Sequence, residues 1–420
     1  MTLLEMTVDR VANGGWCVGR HEGRVVFVRH ALPGERVRAE VTEETARFLR
    51  ADAVEILDPS PDRVTPPCPY AGPGRCGGCD WQHAALPAQR ALKAAVVAEQ
   101  LARLAGIERE VVVEEVPGAP EGLGWRTRVR FAVRPDGVAG LRRHRSHDIE
   151  PVDACLIAHP DAEAAGVETK SWRGASYVEV IASSEGDRAV VVTPKGRRGV
   201  AVPDLDAPAA VLVDEGRGRT EAVRGKGTLR ERVGERSFEV TGSGFWQVHP
   251  GAAETLLGVV LGFADPRPGE RAVDLYCGAG LFTAGLADAV GHEGAVVGVE
   301  SETPAVRDAR RNLSGLPQAR IERGRVERVL ERLAEQGADL VVADPPRAGL
   351  GREVVAGIVA LAPGRIVYVS CDPATMARDI ALFAGHGHTL ESLRAFDAFP
   401  MTHHVECVAL LTASGGPGRG

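Results

Sequence analysis

Residues 271–282 read RAVDLYCGAGLF, and this stretch decides the fold. Arg271 to Leu275 is a strand-like run that breaks into Gly278 and Gly280, which let the chain turn tightly and bring its backbone close to a ligand. Such a turn, at the carboxyl end of a strand and ahead of a helix-like stretch, is where an open α/β sheet binds. Twenty-two residues after Gly278, Glu300 closes the next strand, AVVGVE. A carboxylate there suits the ribose hydroxyls of an adenosine-containing cofactor. The glycine pattern lacks the complete GxGxxG, which lowers NAD and raises S-adenosylmethionine, a cofactor with no pyrophosphate to cradle. A tight turn followed by a surface Glu is the bland alternative.

Outward from that turn the alternation of a doubly wound sheet continues. Strand-like AVVGV, DLVVA and RIVYVS alternate with helix-like stretches near 252–263, 281–290, 303–314, 325–336, 353–361 and 374–384, and HVECVALLTA closes the unit. The fold class is α/β, with a Rossmann-like unit over 241–412 and a flexible tail over 413–420. Upstream, residues 1–58 alternate short apolar runs with Gly14–Gly15 and Pro33–Gly34 turns, which predicts a small β-barrel. A Pro/Gly-rich break follows, then a helix over 84–105 able to pack on the catalytic unit. From about 111 to 240 short β-like segments recur (VVVEEV, RTRVRFAV, YVEVIAS, AVVVTP) with no helix beyond 160–168. Residues 59–240 therefore read as an α+β middle domain.

The chain has 420 residues, 44% hydrophobic and 25% charged, which excludes wholesale disorder. No apolar run approaches the ~18 residues of a membrane helix. The opening MTLLEMTVDR has no basic leader before an apolar stretch, so a cytoplasmic protein is expected. Fifty Lys+Arg against 57 Asp+Glu leave a net charge of −7. That excludes binding of nucleic acid by bulk charge, though not by a local basic groove. In a reducing compartment the eight cysteines read as core, metal or catalytic residues before disulfides.

Six ordered motifs, FWQVH (245–249), DLYCGAG (274–280), GVE (298–300), DPPRAGL (344–350), YVSCDPAT (368–375) and FPMTHHVECVALL (399–411), join CGGCDWQHA and WRTRVRFAV. Together they resemble the S-adenosylmethionine-dependent RNA uracil-5-methyltransferases, in the form with an N-terminal TRAM domain and an iron–sulfur cluster. The resemblance spans nearly the whole chain. It implies that Gln247, Tyr276, Glu300 and Asp344 contact the cofactor, that Cys371 is the nucleophile and that Glu406 is the base. It also implies an RNA partner, ribosomal (23S) before transfer RNA; neither DNA nor a membrane is expected, and a monomer is the default. The chain departs from the family at two places: His249 stands where Asn is usual, and the Cys68–Cys76 interval is two residues longer.

The residues fit that chemistry. Carbon 5 of uracil becomes nucleophilic only after a thiolate adds to carbon 6, and a base must then remove the carbon-5 hydrogen. Cys371 ends RIVYVS, where Asp372 can cap the following helix, Pro373 fits its first turn and the helix end favours a thiolate. A buried small residue is the bland reading of such a Cys. Glu406 interrupts an apolar strand, a costly place unless paired or functional; an edge-strand surface residue is its alternative. Cys17, Cys277 and Cys407 read as core.

Cys68, Cys76, Cys79 and Cys155 offer four thiolates, which by spacing suit zinc and an iron–sulfur cluster about equally; the resemblance implies 4Fe–4S. Residues 125–147 hold seven Arg and one acid, a stripe expected to meet RNA phosphate, with Trp125 and Phe131 as stacking faces. Two other classes compete. A catalytically idle RNA-binding iron–sulfur protein is opposed by the intact Cys371 and Glu406. A small-molecule or amine methyltransferase is opposed by the barrel and by Arg347, which follows Pro-Pro where amine methyltransferases carry an aromatic.

Overall fold

The computed structural model describes residues 2–196, 199–216, 219–242 and 244–413. Its first unit is a closed five-stranded barrel, in the order Leu3–Ala12, Trp16–His21, Arg24–Arg29, Phe48–Asp58 and Arg36–Glu44. Along the first strand Leu4, Met6 and Val8 point inward while their neighbours face water, the period of two that a half-buried strand requires. Val26, Val28, Val37 and Ala51 fill the barrel with them.

A stretch with no regular element leads to the helix Leu86–Gln100, with proline in its first turn, and a π turn, Leu101–Ala105, that ends at left-handed Gly106. Val97 and Leu101 bury in the same cluster as Val341, Tyr368 and Ile380, so this helix lies against the C-terminal sheet. The middle unit is a seven-stranded sheet, ordered Arg219–Arg224, Ala210–Gly216, Arg188–Pro194, Ala175–Ala182, Arg128–Val133, Ala139–Arg142 and Ile149–Pro151.

The segment VVVEEV is not part of it. Val113–Glu115 pairs in parallel with His388–Asp397 and forms the outer edge of the C-terminal sheet, where Arg394 clasps Glu114. The helix before it already lies on that side, so the chain reaches this edge first. The hairpin Thr228–Val233 and Arg236–Thr241 likewise buries Val233, Phe238 and Val240 against the C-terminal helices.

That eight-stranded sheet runs Ala319–Arg323, Ala295–Glu300, Arg271–Leu275, Leu340–Ala343, Arg365–Ser370, Glu406–Ala413, His388–Asp397 and Val113–Glu115. The first five are parallel, and Glu406–Ala413 enters antiparallel. The strand order reverses between Arg271–Leu275 and Leu340–Ala343, which opens a crevice beyond their carboxyl ends. Two apolar clusters, one per face, seal the sheet under its helices. No helix among the described residues is long and apolar enough to cross a membrane. Beyond Ala413 the expected tail lies outside the described residues.

Candidate active site

The register of the sheet aligns most of the candidate residues. Leu275 lies beside Val299 on one side and Ala343 on the other, so Tyr276, Glu300 and Asp344 leave the sheet at one level. Ser370 pairs with Cys407 in the antiparallel ladder, and the next position of that register sets Cys371 opposite Glu406. Along the edge the order is Glu300, Tyr276, Asp344, Cys371, Glu406: a turn region at one end, a thiol and a carboxyl at the other, with Asp344 between.

At the turn, Tyr276 (φ 63°) and Gly278 (φ 54°) adopt left-handed backbone. Gly280 (φ 93°) starts the helix Leu281–Val290, and a side chain there would press on Leu313 at 3.4 Å. Glu300 accepts backbone N–H groups from Gly278 at 3.2 Å, Ser301 at 2.6 Å and Glu302 at 2.8 Å. The residue the sequence reading missed is Asp274. It is fully buried; one carboxylate oxygen accepts from Thr283 Oγ1 and the other has no partner among the described residues. Burial first, then the carboxylates of Asp344 and Glu300, push it up to about 7. Burial likewise raises Asp344 to about 7. A crevice lined by these carboxyl groups favours a cation.

Gln247 stands apart. It lies in the loop ahead of the helix Ala252–Ala264, and among the described residues its side chain makes no hydrogen bond. That loop is pinned by Thr127, whose N–H and Oγ1 both donate to the Val248 carbonyl, at 2.8 and 3.0 Å. His249 is buried and stacked on Trp125 at 6.1 Å, with Nδ1 accepting from Gly251. Burial lowers it to about 4, so it is a neutral packing residue.

At the other end, Asp372 caps the helix Pro373–Ala384 by accepting from Thr375 N–H at 2.8 Å. The thiol is nevertheless pushed up to about 11, by burial first and then by the charge of Glu406, with Arg347 opposing. Burial and Glu406 thus oppose the thiolate preference expected of the helix end. Glu406 is 4% exposed, and burial, then Asp344, raises its carboxyl well above the usual range. Arg347 is a cation whose charge opposes both shifts, and its signal in the sequence was its place directly after Asp344-Pro-Pro. Its loop is held by buried Asp379, which accepts from Leu350 N–H at 2.7 Å and from Tyr368 Oη at 2.9 Å. The loop before Glu406 is clamped from the helix Leu86–Gln100: Lys93 pairs with Asp397 and donates to the Phe399 carbonyl at 3.0 Å, and Gln89 accepts from Met401 N–H at 2.8 Å. Cys17, Cys277 and Cys407 are buried.

Cys68, Cys76, Cys79 and Cys155 line a single cavity of about 50 Å3. Gly77 explains part of CGGC: its N–H donates to Arg142 O at 3.0 Å, and a Cβ there would sit 2.6 Å from His144 N. Among the described residues, no three His, Cys, Asp or Glu side chains gather as a site for one metal ion.

The basic stripe lacks the stacking faces expected of it. Trp125 and Phe131 are core residues, 1% and 0% exposed, and offer no stacking face. Arg143 pairs with Glu150 at 2.8 Å, Arg134 with Asp136 at 2.9 Å and Arg145 with Glu43 at 3.4 Å. Arg142 donates to Tyr177 Oη at 2.6 Å, and Arg128 is turned inward to Gly242 O at 2.9 Å.

Comparison with known proteins adds the following. Residues 229–414 match the tRNA (Uracil-5-)-methyltransferase family, and residues 2–54 match the TRAM domain. An uncharacterized RNA methyltransferase of Streptomyces coelicolor is 53% identical, over 97% of this chain and 92% of its own. One of Bifidobacterium longum is 37% identical, over 98% and 97%. The crystal structure of Pyrococcus abyssi tRNA (uracil-54, C5)-methyltransferase in complex with S-adenosyl-L-homocysteine superposes with a TM-score of 0.73 at 26% identity, over 97% of this chain and 100% of that one.

Proposed function

The chain belongs to the RNA uracil-5-methyltransferase family, with a TRAM domain at its N-terminus, and from that premise we propose that it methylates carbon 5 of a uridine in folded RNA through a covalent adduct with Cys371. The observation that carries this reading is the register that sets Cys371 opposite Glu406 with Asp344 beside them.

S-adenosylmethionine, when bound, supplies a methyl group on a positively charged sulfur. The carboxyl groups of Asp274, Glu300 and Asp344 favour that charge, with Tyr276 and Gln247 completing the cofactor set. Cys371, its thiol proton released to solvent, bonds through Sγ to carbon 6 of the uracil, and the C5–C6 electron pair moves toward carbon 5 and the carbonyl. Arg347 offsets the negative charge that grows there. Carbon 5 then bonds the methyl group as the bond from that methyl to sulfur breaks, its electron pair staying on sulfur. After methylation Glu406, as carboxylate, takes the carbon-5 hydrogen; the electron pair re-forms C5–C6 and expels Cys371 Sγ.

Cys68, Cys76, Cys79 and Cys155 are proposed to hold a 4Fe–4S cluster. The four thiols line one cavity and suit zinc and a cluster alike; the resemblance to the cluster-bearing form of the family is what favours 4Fe–4S. Its role is structural, since methyl transfer consumes no electron. Iron and acid-labile sulfide in anaerobically purified protein are expected; stoichiometric zinc alone rejects the cluster.

Ribosomal RNA is the proposed substrate. Transfer RNA is the second reading, favoured by the full-length similarity to a protein titled a tRNA (uracil-54, C5)-methyltransferase. Purified enzyme, S-adenosylmethionine and either 23S rRNA or tRNA, analysed for 5-methyluridine by nucleoside mass spectrometry, decide between them. No 5-methyluridine in either RNA refutes the assignment.

A further inference from the structure

The strap between the strands His388–Asp397 and Glu406–Ala413 carries two adjacent histidines whose rings lie 4.1 Å apart. Asp80, next to Cys79, holds the first of them twice: its Oδ2 is 2.6 Å from His403 Nδ1 and accepts the His403 N–H at 3.1 Å. Its Oδ1 accepts from Arg29 of the barrel at 3.4 Å. The strap is also tied through its backbone. Asp80 and Trp81 N–H both donate to Met401 O, at 2.9 and 3.0 Å. From the other side the barrel turn closes on it, for a Cβ on Gly15 would lie 2.9 Å from His403 Cβ.

The second ring faces the active site. His404 Nε2 is 3.3 Å from Arg347 Nη2. Burial, then the neighbouring His403 and Arg347, lower His404 to about 3, so the ring is neutral and Nε2 accepts from the guanidinium. Arg347 is otherwise an exposed side chain with many rotamers, yet its charge bears on both Cys371 and Glu406.

We infer that Asp80 and His404 are positioning residues, which aim Arg347 at the Cys371–Glu406 pair through the chain Asp80–His403–His404–Arg347. The inference rests on the proposed chemistry only for its catalytic consequence, because the effect on the Cys371 thiol exists without RNA. The unit that carries the cysteine loop thereby reaches the reacting groups through hydrogen bonds and one tilted ring contact. No backbone of the catalytic sheet intervenes.

The test compares His404→Phe, which keeps the ring but removes the acceptor, with His404→Gln, whose Oε1 can accept from Arg347. The first readout is iodoacetamide labelling of Cys371 at about pH 8 without RNA, followed by peptide mass spectrometry. The second is kcat and KM for RNA methylation. His404→Phe should lower both the labelling rate and kcat about tenfold, the scale of one lost charged hydrogen bond, with KM for RNA nearly unchanged. His404→Gln should restore most of each. Arg347→Ala should match His404→Phe, and the double variant should be no worse than either alone. Wild-type labelling in a folded His404→Phe protein, or losses that simply add, overturns the inference. Lost labelling with no uridine methylation in any variant, the wild type included, keeps the chain of contacts and refutes the reaction. If His404→Phe does not fold, Asp80→Ala tests the other end, where reduced labelling supports the chain and wild-type labelling overturns it.

Discussion

Cys371 should be a reluctant nucleophile in the resting enzyme. Its thiol moves from an ordinary 9.0 to about 11, driven by burial and by Glu406. At about pH 8 that leaves roughly one thiolate in a thousand, against about one in ten for an ordinary thiol, a hundredfold deficit. The helix that starts at Pro373 works in the opposite direction, but a helix end contributes about 0.3–1 kcal/mol, less than one pH unit. It cannot close a gap of two. Labelling of Cys371 with iodoacetamide, free of RNA and cofactor, should therefore be about a hundredfold slower than for a model thiol. The rate should rise about tenfold per pH unit, without a plateau below about pH 10. Arg347→Ala should slow it further, because that cation lowers the thiol pKa. A plateau with a midpoint at or below about 8.5 would refute the electrostatic account and return the thiolate to the helix end. The expected result means that substrate and cofactor binding, rather than the free protein, generate the attacking sulfur.

Glu406→Gln should transfer the methyl group and then stall, giving protein-bound RNA that carries methyl label on denaturing gels; the Cys371→Ala/Glu406→Gln protein should give none. Affinity for S-adenosylmethionine should depend on pH. Asp274 and Asp344 sit near 7 without ligand, and a cation favours their ionised forms, so binding weakens as pH falls below about 7 and levels off above it. Calorimetry from about pH 6 to 9 checks this, and a flat profile rejects the carboxylate cradle. Lys93→Met strands Asp397 in the core and should cost about 3–5 kcal/mol in denaturant unfolding, while Lys93→Met/Asp397→Leu recovers much of it. Equal losses in the two proteins would deny the pairing.

The central parallel strands were legible because fully buried strands read as apolar runs, as in RAVDL, DLVVA and RIVYVS. Two of their neighbours were not. ARIER (319–323) and the HTLESLRAFD strand (388–397) alternate with charge, and only the sheet beside them explains why they are strands. VVVEEV read as a strand but not as part of the C-terminal sheet, because its partner lies far along the chain. Cys371 and Glu406 stood out as chemistry in unlikely places, a thiol at a strand end and an acid in an apolar strand. Asp274 and His404 did not, since an acid in a motif and one of two histidines carry no mark until burial and distance supply it. In the stripe at 125–147 the burial of Trp125 and Phe131 was not legible, and neither were the partners of Arg145 and Arg142, because Glu43 and Tyr177 are remote in sequence.

The ion pair of Lys93 and Asp397 spans 304 positions of the chain. During synthesis at about 5–20 residues per second, the lysine waits on the order of 15–60 s for its carboxylate. For that interval the helix Leu86–Gln100 and the strand Val113–Glu115 have no sheet to join, and their apolar side chains are open to other chains. The barrel and the seven-stranded sheet can close behind the ribosome, but this segment is held in suspense until almost the last strand has emerged. Nascent-chain stalling should therefore find 86–115 protease-sensitive in chains ending near residue 380, and protected once His388–Asp397 has left the exit tunnel.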